Sequence, residues 1–170
     1  GRLNFGYSNL TREPDKFVEQ CEAFFASLKT SNINTLSLKL TGMGPVALQK
    51  LATSLPAAVA RLVLSGNAIT APDPSWESNR EFDKDLSGLI SLCEALVALK
   101  NPIELDVSKC GISVNGVNEV AKAISAGAAV DTVNVSMNPI GVDGAKALAE
   151  VLPDSSLKCL IIGPKSTRLP

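Results

Sequence analysis

Apolar residues along the chain fall into two phrases that keep step with each other. The first is an apolar-x-apolar pair, then a polar or Cys residue three positions on, then an apolar residue two further. It recurs as Leu3/Phe5/Ser8/Leu10, Leu36/Leu38/Thr41/Met43, Leu62/Leu64/Asn67/Ile69, Leu105/Val107/Cys110/Ile112, Val133/Val135/Asn138/Ile140 and an incomplete Leu160/Ile162. Successive copies begin 33, 26, 43, 28 and 27 residues apart, so the basic period is about 28, in the range of solenoid repeats. The second phrase is a Gly with apolar residues four and eight positions later: Gly44/Leu48/Ala52, Gly88/Leu92/Leu96, Gly116/Val120/Ile124 and Gly144/Leu148/Leu152, with Phe17 and Phe25 at the matching places of the first copy. Four- and eight-residue spacing marks one face of a helix, and alternation such as Leu36-Ser37-Leu38 marks a short strand. Each unit is therefore a strand, a loop and a helix.

Composition narrows the chemistry. Of 170 residues 45% are hydrophobic and only 4% aromatic, so Leu, Val and Ala must fill the stacked layers. With 17 acidic against 16 basic side chains the formal charge is -1, which argues against an electrostatic nucleic-acid or membrane surface. The chain has no His, which removes His-ligated zinc, Ser-His and Cys-His nucleophile pairs and the usual general base near neutral pH. No enzyme activity and no cofactor is expected. Cys21, Cys93, Cys110 and Cys159 show no CxxC pairing and read as reduced, buried, small hydrophobes. That cysteine usage, with no signal-like N-terminus, sets the expectation of an intracellular, cytoplasmic protein. The sequons Asn9-Leu10-Thr11 and Asn134-Val135-Ser136 are patterns that arise often by chance.

The segments Leu105-Asp-Val-Ser-Lys-Cys-Gly-Ile112 followed by Gly116, and Val133-Asn-Val-Ser-Met-Asn-Pro-Ile140 followed by Gly144-Ala-Lys-Ala-Leu148, resemble leucine-rich repeats of the ribonuclease-inhibitor type. Gly88-Leu-Ile-Ser-Leu-Cys-Glu-Ala-Leu96 is similar to helices of NOD-like receptors. The resemblance implies an α/β solenoid, a horseshoe arc with parallel strands on the concave face and helices on the convex face. It also implies that the Asn, Cys, Thr or Ser position hydrogen-bonds loop backbone, which leaves Cys110 a packing residue and no nucleophile. The whole chain then reads as a single leucine-rich repeat domain of about five and a half repeats, a section of a longer array with ends open to flanking repeats or self-association.

One repeat is broken. The third is 43 residues long, which places an insertion near 71–85 containing Pro72, Pro74, Trp76 and a mixed charge cluster. Such a loop carries function, or is a solvated excursion with Trp76 folded back on a neighbouring helix. Asp83, Asp85, Ser87, Gly88, Ile90 and Glu94 also satisfy a calcium-loop pattern, although the repeat phase already accounts for Gly88 and the Cys-Glu-Ala-Leu run. Gly42-Met-Gly44-Pro-Val-Ala47 imitates a dinucleotide fingerprint but lacks the acidic ribose ligand about 20 residues on. Gly163-Pro-Lys-Ser-Thr167 lacks most of a phosphate loop.

Side chains flanking and between the strand apolars are expected on the concave face, Asn134 among them, where basic Arg2, Lys39 and Arg61 in the first three repeats and acidic Glu104 and Asp106 in the fourth give a weak dipole. Tyr7, Arg61, Trp76 and Arg80 belong to the residue types that anchor protein interfaces. The leading expectation is a non-enzymatic scaffold that binds a protein partner through the concave face and the insertion. A GTPase-activating or other regulatory module, with Arg80 supplied to a partner enzyme, and a calcium-modulated binding module are the alternatives.

Overall fold

The computed structural model describes Phe5, residues 13–71 and residues 81–163. The strand expected at Leu3, and Tyr7, Trp76 and Arg80, lie outside these residues. Among the described residues a short 3-10 turn, Glu19–Cys21, leads into five helices that alternate with five strands. The helices are α1 Glu22–Lys29, α2 Pro45–Thr53, α3 Ser87–Ala98, α4 Val114–Ser125 and α5 Gly141–Val151. The strands are β1 Thr35–Ser37, β2 Arg61–Val63, β3 Ile103–Asp106, β4 Val130–Asn134 and β5 Cys159–Ile161.

The strands form one parallel sheet in the order β1-β2-β3-β4-β5. A parallel partner needs a crossover connection, and a loop and helix supply it in each repeat. The register aligns Leu36, Leu62, Leu105, Val133 and Leu160 in one row, the same residues that open each copy of the apolar phrase. A slip of one residue would turn every strand side chain over. The first four of that row are buried, each stabilised by about 1.5–3 kcal/mol relative to exposure, so core burial fixes the register of strands only three to five residues long.

Helices line up beside one another against one face of the sheet, and the Gly-apolar-apolar columns point inward. Gly44/Leu48/Ala52, Gly88/Leu92/Leu96 and Gly116/Val120/Ile124 are buried throughout. Gly88 is required for packing, since a Cβ there would collide with the Pro45 carbonyl of α2. In the last helix Gly144 and Leu148 are buried but Leu152 is 40% exposed. At the other end Phe5, Phe24 and Phe25 form an aromatic cluster, with centroids 5.4 to 6.5 Å apart, a favourable range for tilted and offset rings. The sparse aromatics are thus concentrated on the first layers.

Two side-chain devices join consecutive repeats, and they alternate. Counting repeats from Leu3, Leu36, Leu62, Leu105, Val133 and Leu160, the Asn of the third and fifth repeats reaches back into the repeat before it. Asn67 Oδ1 accepts the amides of Thr41 at 3.0 Å and Met43 at 3.2 Å, while its Nδ2 donates to the carbonyls of Leu38 and Leu64, both at 2.7 Å. Asn138 repeats the arrangement on Cys110 and Ile112 at 2.8 and 3.1 Å and on Val107 and Val135 at 2.8 and 3.0 Å. These loop groups are buried and would otherwise lack partners.

The first-to-second and third-to-fourth junctions use Asp. Asp15 of the first repeat accepts the amides of Gly44, Val46 and Ala47 at 2.7, 2.8 and 3.1 Å, where α2 begins in the second repeat. Asp83 of the third repeat accepts the amides of Ser113 at 3.0 Å and Gly116 at 2.8 Å and the Ser113 hydroxyl at 2.6 Å, at the start of α4 in the fourth. A helix start has four amides without intrahelical partners and a partial positive charge. A carboxylate from the neighbouring repeat meets both needs, in the manner of an N-cap supplied from 30 residues away. Both Asp residues adopt left-handed backbone, φ 62° and 54°, a conformation Asp tolerates better than most side chains.

Candidate functional site

With helices on one side, the outward side chains of the strands form an open polar face. Its register brings Thr35, Arg61, Glu104, Thr132 and Cys159 into one row, and Ser37, Val63, Asp106, Asn134 and Ile161 into the next. Arg61 Nε lies 3.4 Å from Glu104 Oε2, with the two side chains 60% and 52% exposed. Such an exposed pair contributes little to stability and leaves both groups available. Lys39 stands exposed at the end of β1. Asp106 is half-buried and turns one oxygen to the Ser108 amide at 3.0 Å.

Asn134 differs from its expected role. It is 5% exposed, and its Oδ1 accepts the Ser136 amide at 3.1 Å, the same turn that Asp106 makes one strand earlier. Spacing placed it in the correct row, but a position in that row is not the same as access to a partner. The expectation of four buried cysteines also needs correction, because Cys21, Cys93 and Cys110 are buried while Cys159 is exposed on β5. Burial pushes the thiols of Cys93 and Cys110 up to about 12, so both stay protonated and unreactive near neutral pH. Cys110 Sγ donates to the carbonyls of Leu64 and Ser108, each at 3.4 Å.

The calcium-loop residues are spread over other tasks. Asp83 is committed to α4, Asp85 Oδ1 accepts the Ser87 amide at 2.9 Å at the start of α3, and Glu94 is exposed along that helix. No group of three or more His, Cys, Asp or Glu side chains that could hold a metal ion occurs among the described residues. The capping roles of Asp15 and Asp83 escaped sequence reasoning. The available signal was an Asp in alternate repeats, about 30 residues before a helix-opening Gly or Ser, too weak to separate from other loop acids.

A leucine-rich repeat family model matches residues 131–149, the stretch from β4 through the Asn138 loop into α5. The mouse (Mus musculus) protein named NACHT, LRR and PYD domains-containing protein 14 is 33% identical over 86 residues, 49% of this chain and 9% of that protein. Together these support a leucine-rich repeat protein. The parallel sheet and alternating helices fit an α/β repeat fold of that kind. Leucine-rich repeats are generally protein-interaction modules and typically non-enzymatic. The chain matches only a small part of its relative's length, so what that whole protein does is not transferred with the repeat.

On the helical side, an open groove lies between α4 and α5, lined by Asn118, Glu119, Lys122, Glu150 and Val151. Its lining mixes these polar side chains with Ala121, Ala126 and Ala147, and Lys122 pairs with Glu119 at 2.6 Å beside it. No helix among the described residues is long and apolar enough to cross a membrane.

Proposed function

We propose that this chain is a non-enzymatic protein-interaction scaffold of the ribonuclease-inhibitor type, in which the open sheet face is the concave side of an arc and binds a protein partner. The observation that carries the reading is the strand register. It sets Thr35, Arg61, Glu104 and Thr132 side by side at a fixed spacing, so a regular backbone presents a row of unlike side chains. Recognition by varied residues on a rigid repeat frame is the physical strength of solenoids. A helix in each repeat and a period of about 28 residues support the finer type, and the insertion near 71–85 supplies a second contact region at the broken repeat.

The structure changes how the insertion should be tested. Deleting all of 71–85 would remove the Asp83 carboxylate from α4, so loss of binding would confuse recognition with folding. Replacing residues 72–80 by a Gly-Ser segment of equal length keeps Asp83 and Asp85. Affinity purification with cross-linking would compare wild type, that replacement and the Arg61→Glu/Glu104→Arg exchange. A partner retained by wild type and lost by the exchange, with unchanged thermal unfolding, is the expected result; a partner indifferent to both variants would remove the concave face and the insertion from consideration. Arg80 is included in the replacement, so an unchanged partner GTPase rate would dispose of the activating alternative.

A further inference from the structure

Beyond each strand's last buried apolar residue the chain makes the same turn in four successive repeats, and the residues there form a rim. Leu40, Gly66, Lys109 and Met137 all adopt left-handed backbone, φ 55°, 74°, 54° and 60°. They are held in line by backbone bonds that extend the sheet pattern: the amides of Leu40, Gly66 and Lys109 donate to the carbonyls of Ser65, Ser108 and Ser136 at 3.0 to 3.1 Å. Gly is the residue suited to this conformation, and Gly66 uses it without strain. Leu and Met are poorly suited to it, and strained backbone is a recognised pointer to function.

Their exposure makes the placement harder to explain by folding. Leu40 is 51% and Met137 54% exposed, so neither offsets its backbone cost by burial in the core. Leu40 leans along the rim, since a Cβ on Gly66 would meet Leu40 Cδ2. Lys39 and Lys109 are both exposed, and among the described residues neither is in an ion pair, as with Lys29 and Lys100, whereas Lys16, Lys50, Lys84, Lys122, Lys146 and Lys158 each pair with an acid. The nearest acid in sequence to Lys109, Asp106, turns an oxygen to the Ser108 amide. The rim therefore combines two apolar side chains with two lysines that stand outside the ion pairs of the described residues.

We propose that this rim docks an extended acidic segment of a protein partner, at a surface that borders the open sheet face and shares Lys39 with it. Neighbouring strands are about 4.8 Å apart, so the three steps from Leu40 to Met137 span about 14 Å, which an extended peptide covers in about four residues. The segment has apolar side chains at i and i+4, over Leu40 and Met137, with carboxylates between them facing Lys109, while Lys39 beside Leu40 adds positive charge at that end. Charge complementarity selects an acidic occupant over a basic one. The proposal rests on the interaction reading, though not on the Arg61 and Glu104 row which that reading uses.

The test is fluorescence anisotropy with two pools of dye-labelled peptides. Both pools have apolar residues fixed at i and i+4; one has Asp or Glu at i+2 and i+3, the other Lys. Saturable binding of the acidic pool, weakened roughly tenfold by Lys39→Glu/Lys109→Glu and by added salt, is expected. Met137→Gly, which relieves backbone strain and leaves thermal unfolding intact, is expected to weaken binding roughly fivefold. Equal binding of the two pools, no saturable binding of the acidic pool, or affinity unmoved by the double Lys variant would overturn the proposal. Affinity lost on Arg61→Glu but kept on the double Lys variant would overturn the rim and leave the sheet-face reading standing.

Discussion

The junctions between repeats are of two kinds, and the contrast between them shows what each is good for. Asn67 and Asn138 are neutral, each makes two acceptor and two donor bonds, and they brace the loop behind them. Asp15 and Asp83 are charged acceptors that reach forward to the start of a helix. The amide side chain suits a loop, where carbonyls and amides both need partners, whereas the carboxylate suits a helix start, where only amides do. Because the two kinds alternate, the second and fourth repeats are each held from both sides.

The Asn junctions should carry the larger share of stability. Asn67→Ala strands the Thr41 and Met43 amides in a buried site and is expected to cost about 3–4 kcal/mol, read as a lower urea midpoint. Asn138 is half-buried, so water can replace part of what it supplies, and its Ala variant is expected to cost less. Equal costs would show that burial is not what separates the two sites.

Loss of an Asp junction is expected to be milder. Asp83→Ala removes a cap from α4 and should cost about 1–2 kcal/mol, with faster hydrogen exchange at Ser113 and Gly116 as its local signature. Gly116→Ala attacks the same junction from the other side, because its Cβ would come within 2.7 Å of Ile112 Cγ2 and 3.0 Å of Asp83 Oδ1. A similar cost of about 1–2 kcal/mol is expected from that crowding. Intact exchange protection in either variant would mean that α4 does not depend on the carboxylate.

The charge on the Asp junction brings a pH dependence that the Asn junction lacks. Burial raises the Asp15 pKa above the ordinary carboxyl value, against the lowering effect of bonds from Gly44, Val46 and Ala47 and with a smaller raising effect from Asp85. The folded protein therefore holds this proton more tightly than the unfolded chain does. Its contribution to stability is fully present below the ordinary carboxyl pKa and is lost as pH rises through the folded value. Comparing wild type with Asp15→Asn from pH 7 downward, the difference in unfolding free energy should move in favour of wild type as the folded value is crossed. A difference that stays flat with pH would show that the junction tolerates the charge without cost.

The smallest effect belongs to a third inter-repeat contact, the exposed Arg61–Glu104 pair. A double-mutant cycle with Ala at each position should give a coupling within about 0.5 kcal/mol. A larger value would mean that the open face helps hold the repeats together and is not free for recognition.

Much of this architecture was legible in the residue pattern, for a physical reason. Strand register follows from a side-chain period of two repeated down the chain, so aligning Leu36, Leu62, Leu105, Val133 and Leu160 by eye aligns them in the sheet. Thr41, Asn67, Cys110 and Asn138 were readable because a buried loop must satisfy its own backbone amides and carbonyls. The Asp caps were not, because their partners lie in the next repeat and depend on a left-handed turn at Asp15 and Asp83 that no single residue type announces. Asn134 and Cys159 show the same limit at the site. Position in a row is set by local alternation, but exposure depends on what else covers the row.

Cys159 has a practical consequence. Of the four thiols it alone is open to solvent, on the last strand of the sheet, while those of Cys93 and Cys110 are kept protonated by burial. A maleimide dye or nitroxide would therefore attach at one defined place in the unaltered sequence. The label would stand beside Thr132 in the row that also holds Arg61 and Glu104, turning the wild-type protein into its own reporter of whatever approaches that side.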